Sequence, residues 1–238
     1  MTLRSLLNAA WFYLWMVVFG TLGFFTFLIG PKAVVTSLRV WAHGCLLGLR
    51  VFGGVRVEVR GREHLPPAGQ PALIAAKHQA MIDTIAPFTF VDGTCFVLKE
   101  ELTKLPLFGW YAVAAQMIAL DRSGQASALK ALVRDTKARI AEGRQVIIYP
   151  VGTRGPLGTP PDYKPGVAAL YSALDLPCIP MATNSGAHWR HRGMGVTPGI
   201  IVFEFLPPIP PGLKRAEFMA RLEEAVETAS NRLVAEGT

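Results

Sequence analysis

Residues 5–31 carry no formal charge, and the stretches WFYLWMVVFG and TLGFFTFLIG within them are almost wholly apolar. This run exceeds the roughly 18–20 residues that a helix needs to cross a bilayer. It restricts the chain to folds that either bury a long apolar helix or give it to lipid. A secretory signal competes with this reading, but the run is longer than an h-region of about 7–15 residues and lacks a small-x-small cleavage site. Trp11, Tyr13 and Trp15 near its start fit the aromatic belt of a membrane interface. Pro31 ends the helix. Residues 33–52 read as a second, amphipathic helix with Arg39, His43 and Arg50 on one face at about 3.6 residues per turn. The expectation is a membrane-binding two-helix segment over residues 1–53. Three placements stay open: a spanning helix followed by an interfacial one, a hairpin in one leaflet, and a helical pair packed on the domain that follows.

The charge distribution supports a lipid partner. The net charge is +7, and the first acid is Glu58. Before it stand five bases, Arg4, Lys32, Arg39, Arg50 and Arg56, whereas the other 181 residues hold 19 bases against 17 acids. Nucleic-acid binding would interleave such bases with polar and aromatic residues. Here they are thinly spread through apolar sequence, which suits anionic lipid headgroups and argues against nucleic acid. The three cysteines, Cys45, Cys95 and Cys178, are scattered and show no CxxC, so neither a disulfide framework nor a zinc site is expected.

From residue 54 the pattern changes. GVRVEVRG alternates with period two, and PALIAA (71–76) is the continuous apolar run of a buried strand. Residues 94–98, 116–120, 145–149, 178–183 and 199–206 are further strand candidates. Helices fit between them at 125–142, with Leu129, Val133, Thr136 and Ile140 on one stripe, and at 166–174. After the PPIPP run at 207–211, a terminal helix has an inner face of Phe218, Leu222, Ala225 and Ala229. Strand–helix alternation predicts an α/β domain over residues 54–238, a single mixed sheet with helices on both faces and no second core.

Several chemistries are absent. The chain has no GxSxG elbow, no Walker A loop and no HExxH, and its five histidines form no clustered metal-ligating set. No metal or cofactor is expected. KHQAMID (77–83) follows a buried strand directly and carries the candidate chemistry. His78 and Asp83 are five positions apart, about 140° from facing on a regular helix. They meet only if His78 lies in the loop and Asp83 in the first turn beyond it. Asp83 then accepts the Nδ1–H of His78 and leaves Nε2 as a general base. One such spacing alone is a weak signal.

Its company along the chain, five stretches in order, strengthens it. KHQAMID, FVLKEELTKLPLFGW (96–110), QMIALDR (116–122), IIYPVGTRG (147–155) and LPCIPMATNSG (176–186) together resemble the lysophosphatidate acyltransferase family, within the wider glycerolipid acyltransferases. The first is that family's HX4D motif, and FVLKEELTKLPLFGW is similar to its Lys-Glu-Leu…Pro-x-x-Gly-Trp stretch. The resemblance covers about residues 54–206. It implies transfer of a fatty acyl group from acyl-ACP or acyl-CoA to the sn-2 hydroxyl of lysophosphatidate, giving phosphatidate. It also implies His78 as the base, Asp83 as its partner, and Lys99 and Arg154 as holders of the acceptor phosphate. It suggests a monotopic anchor and catalysis on the cytoplasmic face of the inner membrane.

The phosphate assignment also makes physical sense. A phosphomonoester carries about −1.5 to −2 charges near pH 7. Arg154 offers a fork and Lys99 a point charge. Gly152 lets the backbone approach, Thr153 adds a donor, and Arg122 is a third basic candidate beside its competing role as an ion-pair partner. Two positions depart from the family pattern: Tyr149 replaces Phe, and Val151 stands where the family has Glu. Val151 keeps two alternatives open, an acceptor other than lysophosphatidate (glycerol 3-phosphate or a lyso-aminolipid) and a catalytically weakened lipid-binding protein. Ala80, Met81 and Ile85 are candidates for an apolar acyl groove, with a plain core role as the competing reading.

Overall fold

The computed structural model describes residues 2–121 and 125–237. Helix α1 (Leu3–Leu22) is N-capped by Thr2, whose hydroxyl accepts the Ser5 N–H. It continues as a 3₁₀ segment, Gly23–Leu28, and the apolar helical stretch Leu3–Leu28 is long enough to cross a membrane by length and composition. Pro31 does not merely end this helix; it starts the next one, α2 (Pro31–Gly48), at a position where its missing N–H leaves no bond broken.

Among the described residues seven strands form one sheet in the order β1-β7-β6-β2-β5-β3-β4: β1 (Val55–Arg60), β2 (Ala72–Ala76), β3 (Cys95–Lys99), β4 (Ile118–Leu120), β5 (Gln145–Ile148), β6 (Cys178–Thr183) and β7 (Gly199–Phe205). Every neighbouring pair is parallel except β6–β7, so the sheet is mixed as expected. The other helices are α3 (Pro87–Phe90), α4 (Phe108–Ala114), α5 (Gln125–Ala141), α6 (Gly166–Leu174), α7 (Ser185–His188) and α8 (Arg215–Glu236).

Alternation along β2 divides the core. Leu73 and Ala75 join Leu132 of α5, Leu170 and Tyr171 of α6, and Phe218 and Leu222 of α8. Ala72, Ile74 and Ala76 join Phe12 of α1, Ala42 and Cys45 of α2, and Ile82 and Phe88 of the segment after β2. The two N-terminal helices therefore share a core with the sheet, and no core boundary falls at residue 53. They also leave much apolar surface uncovered: Leu14, Val17, Leu22, Phe25 and Leu28 are all exposed.

Two expectations for this segment change. Trp11 and Trp15 turn inward, donating their indole N–H groups to the carbonyls of Gly44 and Trp41 at 2.9 Å, while Tyr13 faces outward. Gly44 and Gly48 make the room; a Cβ on either would stand 2.2 or 1.9 Å from an indole. Arg39 does not hang free on the polar face. Its Nε donates to the Phe88 carbonyl at 3.0 Å, tying α2 to α3. On α8 the inner face carries Val226 where Ala225 was expected.

Candidate active site

The chain leaves β2 with the Lys77 N–H bonded to the Met181 carbonyl at 2.9 Å, which fixes the exit direction. His78 follows in the loop, and Asp83 falls in a single 3₁₀ turn, Met81–Thr84. This is the arrangement that the five-residue spacing required. His78 Nδ1 lies 3.1 Å from Asp83 Oδ2. The same oxygen accepts the N–H groups of Gln79 at 2.6 Å and Ala80 at 2.8 Å. Asp83 is fully buried, and its Oδ1 has no hydrogen-bond partner. The two backbone donors hold the carboxylate beneath the ring. The His78 ring stacks on Tyr149 with centroids 4.3 Å apart. The Tyr149 hydroxyl donates to the Asp83 carbonyl, and burial, aided by the Asp83 charge, pushes that phenol well above the usual value of 10.

His78 opens on a cavity of about 1040 Å³. Its lining is largely apolar and includes Phe12, Met16 and Gly20 of α1 with Tyr111 of α4. The same cavity is lined by Lys99 at the end of β3 and by Gly152, Thr153 and Arg154 after β5. Both sets follow the C-terminal ends of parallel strands, where α/β sheets place ligands. Gly152 holds φ +71°, a conformation that a side chain would strain. Among the described residues neither Lys99 nor Arg154 has a carboxylate within ion-pair distance. The fold thus gathers His78, Asp83, Lys99, Gly152, Thr153 and Arg154 in one place, while Arg122 lies outside the described residues. Met81 and Ile85 line the cavity too; Ala80 is wholly buried in the core.

A second hollow of about 700 Å³ shares His78 and Thr153 with the first. Val151 faces it, opposite Glu223, Glu224 and Glu227 of α8. Lys77 is ion-paired with Glu227 there, Nζ to Oε1 being 2.7 Å. Val151 therefore lines a different hollow from the cavity that holds Lys99 and Arg154. Sequence reasoning missed two residues. Lys164 lines the main cavity beside Pro165 and Gly166, and it pairs with Asp162. Tyr149 stands out in the sequence only as a replacement for Phe.

The cysteines take no part in this geometry. All three are buried, and burial pushes the thiols of Cys95 and Cys178 up to about 11 and about 12. A protonated thiol is a poor nucleophile. The arrangement suits direct deprotonation of a substrate hydroxyl by imidazole, in a cavity that also presents the cations of Lys99 and Arg154.

Comparison with known proteins agrees with the fold and with an acyltransferase. The Acyltransferase family matches residues 56–184. A 1-acyl-sn-glycerol-3-phosphate acyltransferase of Pseudomonas aeruginosa is 34% identical over 221 residues, covering 92% of this chain and 85% of the relative. A protein of the same name from Limnanthes alba is 31% identical over 183 residues, 74% of this chain and 59% of the relative. The human 1-acyl-sn-glycerol-3-phosphate acyltransferase alpha is 28% identical over 167 residues, 69% and 59%. In fold, the chain is similar to the crystal structure of the 1-acyl-sn-glycerophosphate acyltransferase PlsC from Thermotoga maritima, with TM-score 0.80, 24% identity and coverage of 97% and 96%.

Proposed function

The chain belongs to the acyltransferase family, and from that premise we propose that it moves a fatty acyl group from an acyl-ACP or acyl-CoA thioester to the sn-2 hydroxyl of lysophosphatidate, giving phosphatidate. The observation that carries this reading is the buried Asp83 carboxylate 3.1 Å from Nδ1 of His78, which lines a cavity that also holds Lys99 and Arg154.

In this reading Asp83 keeps the Nδ1–H tautomer, so that Nε2 bears the lone pair. Nε2 takes the proton of the acceptor hydroxyl as its oxygen attacks the thioester carbonyl. The C–O bond forms, the C–S bond breaks, and the imidazolium returns its proton to the departing thiolate. Positioned proton transfer of this kind contributes about 10²–10⁴-fold. Lys99 and Arg154 hold the phosphate, with Gly152 and Thr153 shaping the loop around it. No acyl-enzyme forms, and the chain's own residues suffice without metal or cofactor.

Residues 1–53 serve as the anchor and residues 54–238 as the catalytic unit, placed at the cytoplasmic face of the inner membrane. An acyl chain drawn out of lipid into water loses about 0.8 kcal/mol per CH₂. A cavity walled by α1 removes most of that cost, because the chain passes from bilayer to protein. Arg50, exposed in the helical segment Leu49–Gly53 that follows α2, is available to anionic headgroups.

One observation favours a different acceptor. The second hollow beside His78 is walled by glutamates, which suit the amine of a lyso-aminolipid. The deciding experiment gives purified protein a labelled acyl thioester and a panel of acceptors. The proposal expects rapid transfer to lysophosphatidate and little to lyso-aminolipid or glycerol 3-phosphate; the reverse preference overturns it.

A further inference from the structure

The backbone around Asp83 contains an orphaned acceptor. In a continuing helix its carbonyl would accept the N–H of residue 87, but residue 87 is proline, which has none. The amides nearby are already committed: the Ala86 N–H bonds to the Ile82 carbonyl at 2.8 Å and the Phe88 N–H to the Ile85 carbonyl at 3.2 Å. A buried carbonyl needs a donor. It finds one across the fold in the Tyr149 hydroxyl, at the end of β5.

The same side chain does a second thing. Its ring lies against the His78 imidazole, centroids 4.3 Å apart and planes 26° from parallel, and is itself stacked on Phe96 with planes 12° from parallel. The contacts close a circuit from the Tyr149 ring to the His78 ring, to the Asp83 carboxylate, along the Asp83 backbone to its carbonyl, and back through the Tyr149 hydroxyl.

We propose that Tyr149 is a positioning residue for the His78–Asp83 pair, its ring setting the plane of the imidazole and its hydroxyl setting the backbone that carries the carboxylate. The proposal rests on the reading of His78 as the base. It gives the Phe-to-Tyr departure a definite role, since a phenyl ring supplies the stacking face but no donor for the carbonyl that Pro87 leaves open. Tyr149 makes and breaks no bond to substrate. Misplacement of a reacting group by about an ångström is enough to slow chemistry by orders of magnitude.

The test compares Tyr149→Phe, Tyr149→Leu and His78→Ala with the parent chain, as full-length protein in detergent, using lysophosphatidate and an acyl thioester. Tyr149→Phe should lower kcat about tenfold, the effect of one lost buried hydrogen bond, with KM for both substrates unchanged. Its downfield Nδ1–H proton resonance of His78 should broaden or move upfield. Tyr149→Leu, which also removes the stacking face, should lower kcat further. A role in folding alone would reduce the folded fraction but leave kcat per folded molecule and that resonance in place. Parental kcat and an unmoved resonance in Tyr149→Phe overturn the proposal. Transfer that survives in His78→Ala overturns the reading beneath it, which is a distinguishable result.

Discussion

The two faces of the sheet are closed in different ways. On one, α5, α6 and α8 behave as helices of a water-soluble domain. Helix α8 buries Phe218, Leu222, Val226 and Leu233 and carries exposed ion pairs outside, Arg221 with Glu217 and Arg232 with Glu236. On the other, α2 seals the sheet with Ala42 and Cys45, but α1 contributes Phe12 and leaves Leu14, Val17 and Leu22 in the open. Past Arg4 it has no charged residue to place outward. An amphipathic helix ends a core; a helix apolar all round ends it on one side and requires a second apolar medium on the other. The His78–Asp83 turn packs with this second face, so the chemistry and the lipid-compatible surface lie on the same side of the molecule.

The strongest test of that contrast is on the soluble face. Phe218→Ala deletes a fully buried ring stacked on Tyr171, and should cost about 3–5 kcal/mol of folding stability, read by thermal melting in detergent. The folded fraction should bind vesicles as before. Next is Val17→Asp on the exposed side of α1. It should weaken partition into vesicles by roughly 2.5–3.5 kcal/mol while leaving the melting temperature in detergent nearly unchanged. If it instead unfolds the protein, α1 is a core helix and the contrast fails. Arg154→Ala sharpens the site itself: KM for lysophosphatidate should rise about 10–100-fold, with a smaller change for an uncharged monoacylglycerol.

The smallest effect is expected from thiol chemistry. With Cys95 and Cys178 raised by burial to about 11 and about 12, N-ethylmaleimide at pH 8 should leave both unmodified and activity intact, while the unfolded chain reacts. A thiol whose folded value exceeds its unfolded value of about 9 favours the folded state below that pH, and the contribution fades as pH rises toward 11–12. Denaturation curves across that window check it.

Most of the sheet was legible because each strand is a short apolar or alternating run bounded by turn residues, and a buried strand leaves few other readings of PALIAA or QVIIY. Where boundaries moved, a tertiary or backbone reason exists. β4 starts at Ile118 rather than at residue 116 because Gln116 holds φ +54°, outside the strand region. Trp11 and Trp15 look like interfacial aromatics until Gly44 and Gly48 are noticed four apart on α2, a small-xxx-small spacing that admits bulky neighbours. The contact between His78 and Asp83 was legible from spacing and strand context, and the resemblance of the neighbouring motifs singled it out. Tyr149 was not, because its role depends on a carbonyl that Pro87 leaves open 62 positions earlier, a relation only the folded chain reveals. The hollow that Val151 lines was equally invisible, since alternation does not extend through a Gly/Pro turn.

The central claim is that the His78 imidazole, held by Asp83, removes the acceptor's proton. Single-turnover acyl transfer to lysophosphatidate by His78→Ala tests it most directly, with acceptor binding measured on the same sample. The account predicts a rate about 10²–10⁴-fold below the parent chain and unchanged lysophosphatidate affinity. A variant that binds and transfers within a few-fold of the parent contradicts it.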